Sequence, residues 1–189
     1  MADDNLFLIR LVTPERILVT GQAAEVILRT GEGDATFLAG HTPLVGTVEP
    51  GVVRVVLPEG DEVRLAVHGG FVQVEQVSKP ESDGKTAGTS PTGTEVTILV
   101  GVAELAEEID TERARAALEA AEARLSELGG AGGRTAGGSG TSGEGDEVDP
   151  EVVDAEAALL RAQVRLEAVD ATAGPTAGAT AGATAASAG

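Results

Sequence analysis

Apolar residues alternate with polar ones through most of the first hundred positions. "NLFLIRLV" (Asn5–Val12), "AEVILRT" (Ala24–Thr30), "GVVRVVL" (Gly51–Leu57), "EVRLAV" (Glu62–Val67), "FVQVEQV" (Phe71–Val77) and "EVTILVG" (Glu95–Gly101) are rich in Val, Ile and Leu, and Gly, Pro or charged residues separate them. "PEGD" (Pro58–Asp61) between two of these runs is a turn signal. Short strands at this spacing, with no intervening helical pattern, predict an all-β domain over residues 1–101, folded as an antiparallel sandwich or barrel.

The period then changes. From Thr111 to Leu128 the chain is rich in Ala, Glu and Arg and almost free of β-branched residues, a composition that favours helix. Leu118, Ala121, Leu125 and Leu128 fall on one stripe, and Gly129–Gly130 is the expected stop. Asp149–Pro150 opens a second helix, with Asp as cap and Pro in the first turn, running to about Val169 with a stripe of Leu159, Ala162, Leu166 and Val169. Residues 102–170 thus read as an antiparallel helical hairpin that packs on the sandwich or on a partner. Three segments dominated by Gly, Ser, Thr and Pro carry too few apolar side chains to offset the entropy of ordering. They are an insertion over about 78–94, a connection between the helices over about 129–148, and a tail, 171–189.

Composition narrows the chemistry. The chain has 189 residues, no Cys, Trp or Tyr, and three Phe, which excludes disulfides, thiolate metal centres and aromatic base-stacking surfaces. A net charge of −18 repels phosphate backbones, so no nucleic-acid partner is expected. No apolar run approaches the roughly 20 residues of a membrane-spanning helix, and the acidic start "MADDNLFLIR" does not read as a signal peptide. The expected location is cytoplasmic, with any membrane association made through a protein partner and without direct insertion.

Few residues invite a chemical reading. Gly84-Lys85-Thr86 imitates the end of a phosphate-binding loop, but Lys79 occupies the place of its first Gly. His41 and His68 lack the partners that a metal or catalytic site needs. His68 precedes "GGF", which reads as a tight backbone passage, and His41 sits in the turn-like "AGHTPL". No catalytic or metal-binding residue is therefore expected. Asp110 in "EIDTERARA" is a good N-cap, with Ile109 and Ala114 placed for a hydrophobic staple. Arg161 and Arg165 lie one helical turn apart on one face, where they either pair with nearby acids or meet an anion.

Taken in order, "LVTPERILVTGQAAEVILRT" (Leu11–Thr30), "FLAGHTPLVGTVEPGVVRV" (Phe37–Val55), "LAVHGGFVQV" (Leu65–Val74), "EVTILV" (Glu95–Val100) and "AELAEEIDTERARAALEAAEARL" (Ala103–Leu125) resemble the epsilon subunit of ATP synthase. The resemblance covers nearly all of Leu6–Val169 outside the two Gly/Ser/Thr-rich insertions. It implies a β-sandwich followed by a two-helix hairpin. It also implies a non-catalytic subunit of the central stalk, bound to the gamma subunit and the c-subunit ring at the cytoplasmic face of a bacterial membrane. Such a subunit couples proton translocation to ATP synthesis, and its hairpin reaches transiently toward the alpha and beta catalytic subunits to restrain ATP hydrolysis.

The ring-facing loop of that family corresponds to roughly Arg29–His41, which makes Glu32, Asp34 and His41 expected stalk or ring contacts. Thr36 and Ala39 depart from the family pattern there. Some bacterial members bind ATP in the folded hairpin through Ile or Leu, Asp, two free positions, Arg, Ala. Ile109, Asp110, Arg113 and Ala114 match it, Glu104 falls where those members carry a Glu, and Arg161 and Arg165 resemble the second-helix pair. A further first-helix Arg of the ATP-binding members is Ala120 here. No cofactor is required on this reading, and ATP is a regulatory ligand. A free-standing ATP sensor that kept the hairpin and lost the assembly is the alternative.

Overall fold

A computed structural model describes residues 5–77, 93–132 and 149–170. Among the described residues ten strands precede two long helices: β1 (Phe7–Val12), β2 (Ile17–Ala23), β3 (Glu25–Thr30), β4 (Gly33–Phe37), β5 (Leu44–Val48), β6 (Gly51–Val56), β7 (Glu62–Val67), β8 (Gly70–Val77), β9 (Gly93–Val100), β10 (Ala103–Leu105), α1 (Thr111–Gly132) and α2 (Pro150–Asp170). One sheet has the order β2-β1-β9-β8-β5 and the other β10-β7-β6-β3-β4. The alternation seen in the sequence becomes the inward faces of both layers: Phe7, Ile9 and Leu11 of β1, Val96, Ile98 and Val100 of β9, and Val53 and Val55 of β6 form one core with Val26, Leu28, Leu65 and Val67.

The expected sandwich is present, with corrections. Pairing is antiparallel except between β1 and β9, which run parallel with Leu8 opposite Glu95; the long chain between them permits a parallel return. β2, β4, β5 and β10 were not expected as strands. The expected insertion over 78–94 overreaches, because Gly93 and Thr94 begin β9 and pair with Val77 and Gln76. Residues 78–92, which hold Gly84-Lys85-Thr86, lie outside the described residues, as do 133–148 of the helix connection and the tail, 171–189.

α1 also runs past its expected stop at Gly129–Gly130 to Gly132. Gly129 does not take the left-handed conformation that caps a helix, so its presence costs the helix about 1 kcal/mol without ending it. Asp110 does cap α1, accepting from the Arg113 amide at 3.0 Å, and Asp149 accepts from the Glu151 amide at 2.9 Å at the start of α2. Arg124 lies 4.0 Å from Asp154, while Ala168 packs with Ala106, so the helices run antiparallel. Ala114 and Ala121 of α1 and Ala155 and Ala162 of α2 are buried, each pair seven residues apart and so on one face of its helix.

Two sites define how the hairpin sits. Its base is tied to the sandwich by Arg16 in the β1–β2 turn, which donates to Glu108 at 2.6 Å. α2 lies on the outer face of β6 and β7, where Val164 and Ala168 meet Ala66 and Ala106, with Val52 and Ile109 at the margin. α2 thus has a second apolar face besides the stripe that the sequence displays.

Candidate functional site beneath the helical hairpin

The polar centre of the contact between hairpin and sandwich is an ion pair across 61 residues of sequence. Nε of Arg165 donates to both carboxylate oxygens of Glu104 at 3.0 Å and Nη2 donates to Oε1 at 2.5 Å, so two nitrogens of the guanidinium grip one carboxylate. β10 presents Glu104 because its register sets that residue opposite Ala66 of β7. Both side chains keep about a third of their surface, so solvent screens the pair and it ranks below a buried bridge in strength.

His68 completes the cluster. It follows β7, its amide donates to the Val102 carbonyl at 3.2 Å and so prolongs the pairing with β10, and, two positions after Ala66, it stands on the face of the sheet that carries the hairpin. Among the described residues both ring nitrogens are buried and lack a hydrogen-bond partner. Burial holds the imidazole below its ordinary value of 6.5. The positive charge of Arg165 and, more weakly, Arg161 acts the same way, and Glu104 opposes them. The ring is therefore neutral near pH 7 while the hairpin is docked.

The expected tight passage after His68 is also present. Gly69 has φ +94°, and Gly70 has no room for a side chain: a Cβ there would collide with the Leu99 carbonyl oxygen and with Val100.

The structure gathers only part of the expected nucleotide set. Glu104 and Arg165 hold each other. Ile109 joins the apolar margin, Asp110 serves as cap, and Ala114 is buried at 3% exposure. Arg113 is exposed and Arg161 half-buried, and neither has an ion-pair partner among the described residues. In a chain with 31 acidic and 13 basic residues, these two are the members of the expected set left able to receive an anion. A nearby groove of about 210 Å³ beside α2 is lined by Arg29, Arg54, Asp34, Glu167 and apolar strand residues. Its arginines are already paired, Arg29 with Asp34 at 3.0 Å and Arg54 with Glu62 at 2.6 Å, so it offers an anion little.

The expected ring contacts do not form one cluster. Glu32 is exposed in the turn between β3 and β4, and Asp34 beside it is held by Arg29. His41 lies past the other end of β4, where its ring meets Phe37 edge-on at 5.0 Å between centroids and its carbonyl accepts from Gln76 at 2.9 Å. The adjacent Gly40, at φ +81°, donates to the buried hydroxyl of Thr94 at 2.8 Å. His41 therefore shapes this loop, with its ring half-buried.

His68 is the residue that the sequence did not assign to this site. It stands 36 positions before Glu104 and 97 before Arg165, with no spacing that links the three. Among the described residues no group of His, Asp and Glu is arranged to hold a metal ion, and no helix is long and apolar enough to cross a membrane.

Comparison with known proteins adds family. Residues 6–78 match the family described as ATP synthase, Delta/Epsilon chain, beta-sandwich domain, and residues 107–170 match its long alpha-helix domain. The ATP synthase epsilon chain of Thermobifida fusca is 44% identical over 124 residues, covering 65% of this chain and 79% of that one. That of Brevibacillus brevis is 40% identical over 63% of this chain and 77% of its own. The Desulfitobacterium hafniense chain is 34% identical over 86% and 95%. A chain in the cryo-EM structure of the Euglena gracilis mitochondrial ATP synthase, OSCP/F1/c-ring, shares the fold with a TM-score of 0.53 at 23% identity, covering 88% of this chain and 79% of that one. β9 and β10, beyond the matched sandwich residues, complete both sheets here.

Proposed function

The chain belongs to the ATP synthase delta/epsilon family, and on that premise we propose that it is a non-catalytic central-stalk subunit whose hairpin alternates between a docked and a released state. The observation that carries this reading is the contrast between the two apolar contacts. The sandwich core is built almost entirely from Phe, Ile, Leu and Val, whereas the hairpin rests on the sandwich through Ala66, Ala106, Val164 and Ala168. Small side chains bury little area, so releasing the hairpin costs far less than opening the sandwich. Released, it reaches toward the alpha and beta subunits and restrains hydrolysis; docked, it leaves the complex permissive.

The other face of the molecule supports assembly. α2 covers the sheet containing β6 and β7, but the outer face of the first sheet exposes Leu8, Val45, Phe71 and Leu99, with Phe71 directly opposite Leu99. Exposed apolar rows of this kind are docking surfaces. We place the gamma subunit on this face and the c-subunit ring at the loops around Glu32 and His41, which puts the chain peripherally at the cytoplasmic face of the membrane, in the path that couples proton flow to ATP synthesis. The full chain is expected to copurify with the gamma subunit of its own complex. Phe71→Ser, which removes an apolar group 57% exposed in the free chain, is expected to weaken that association while leaving the fold intact. Failure of the unaltered chain to associate would favour a free-standing sensor.

ATP fits this scheme as a ligand of the docked hairpin. Arg113 and Arg161 supply uncommitted guanidiniums for phosphate oxygens, and Asp110 fixes the first turn that carries Arg113. Calorimetric titration with ATP and Mg²⁺ is expected to give saturable one-to-one binding, weakened about tenfold or more in Arg113→Ala by the loss of a charge-assisted hydrogen bond. Heats that are equal in both chains would leave Arg113 a surface charge.

A further inference from the structure

We infer that His68 makes docking of the hairpin pH-dependent, so that acidification drives the chain into its released form. The inference rests on the two-state hairpin proposed above and adds the proton as a regulator of it. Strand alternation puts His68 on the same face as Ala66, which α2 covers, and both ring nitrogens are buried and unpartnered among the described residues, an environment that accepts a neutral ring and penalises a charged one. The charged groups facing it from the elements around it are Glu104 on β10 and Arg161 and Arg165 on α2. Among the described residues Glu104 is the one group that favours the imidazolium, and its carboxylate is already engaged by Arg165.

The sign follows from where the proton binds better. In the docked form the ring's pKa lies below 6.5, whereas release exposes it to water and returns it toward that value. The released form therefore binds more protons between the two values. Docking is favoured in full above about pH 6.5 and is lost as pH falls through the depressed docked value. For each pH unit separating the two values, the docked-to-released ratio falls about tenfold. The same argument couples the proton to any anion held by Arg161 or Arg165, since neutralising those charges eases protonation of His68.

The chain has no Cys, so donor and acceptor dyes can be placed uniquely at Glu59→Cys on the β6–β7 turn and Ser126→Cys on α1, both exposed. Energy transfer in the full chain, followed from pH 8 to 5.5, is expected to shift toward the value of a released reference, Ala66→Glu, while His68→Gln stays at the docked value throughout. An unaltered chain that does not respond, or a His68→Gln chain that responds equally, would overturn the inference; the second result would assign the response to a carboxylate. If Ala66→Glu itself remains docked, the two-state hairpin fails and this inference with it. A direct check avoids variants of His68: the two histidines give two imidazole NMR signals, assigned with His41→Gln. The His68 signal is expected to titrate below 6.5, and titration at or above that value would also overturn the inference.

Discussion

Replacing Gly70 with alanine is expected to destabilise the sandwich by about 3 kcal/mol, an unusually large effect for adding one methyl group. The reason lies in the pairing of β8 with β9, where Gly70 stands opposite Val100. A Cβ at Gly70 would overlap the Leu99 carbonyl oxygen and come within 2.9 Å of the Val100 Cα, and backbone atoms in a central strand cannot step aside as a flexible side chain can. Gly46 in β5 is the control. A Cβ there would meet Val72 Cγ1 at 3.6 Å and Leu44 Cδ1 at 3.7 Å, ordinary contact distances, so Gly46→Ala is expected to fall within about 1 kcal/mol of the unaltered chain and to gain from a stiffer unfolded state. Urea unfolding distinguishes the two through the midpoint at constant slope. Equal tolerance at both positions would mean that β8 and β9 do not approach as described. The functional consequence is local: Gly69 and Gly70 follow His68, so the same passage that opens β8 fixes the backbone next to the imidazole.

Replacing Ala66 with glutamate is expected to release the hairpin while sparing the sandwich. Ala66 is 0% exposed, yet it belongs to the outer patch with Ala106, Val164 and Ala168 and not to the core between the sheets. In the docked state the new carboxylate would be buried among apolar groups and directly opposite Glu104 on β10. Any rescue by Arg165 would take that guanidinium from Glu104 and leave Glu104 unpaired. The docked state should lose about 2 kcal/mol or more, a fall of about 30-fold in the docked-to-released ratio. In the released state the same glutamate lies on a solvated sheet face at little cost. The expected signature is a loss of docking, read by energy transfer, with an unchanged urea midpoint for the sandwich. A lowered midpoint without release would mean that Ala66 serves the core.

The limits of sequence reading are visible at particular residues. β1, β3, β6, β7, β8 and β9 were legible because their inward positions alternate under one core. β2 was hidden because "ILVTGQA" buries only Val19 and Ala23 and contains Gly21 at φ +147°. β4 carries one fully buried residue, Phe37, and β10 has three residues whose pairing with β7 depends on a distant segment. The caps Asp110 and Asp149 were local chemistry and therefore readable. The second apolar face of α2, Val164 and Ala168, was masked by the stripe facing α1. The ion pair of Glu104 with Arg165 and the ring of His68 come together only when the hairpin folds onto β7. Resemblance supplied Glu104, Arg113, Arg161 and Arg165 as a set, and the structure divides that set into a closed pair and two open guanidiniums.

If the proposed switch operates, ATP hydrolysis by the reconstituted complex depends on the position of the hairpin. Three chains are compared: the unaltered one, Ala66→Glu, and one ending at Glu108, which keeps β10 and the tie between Arg16 and Glu108. Hydrolysis is expected in the order truncated, unaltered, Ala66→Glu, from fastest to slowest. Equal rates for all three, with each chain bound to the gamma subunit, would mean that the hairpin does not restrain hydrolysis.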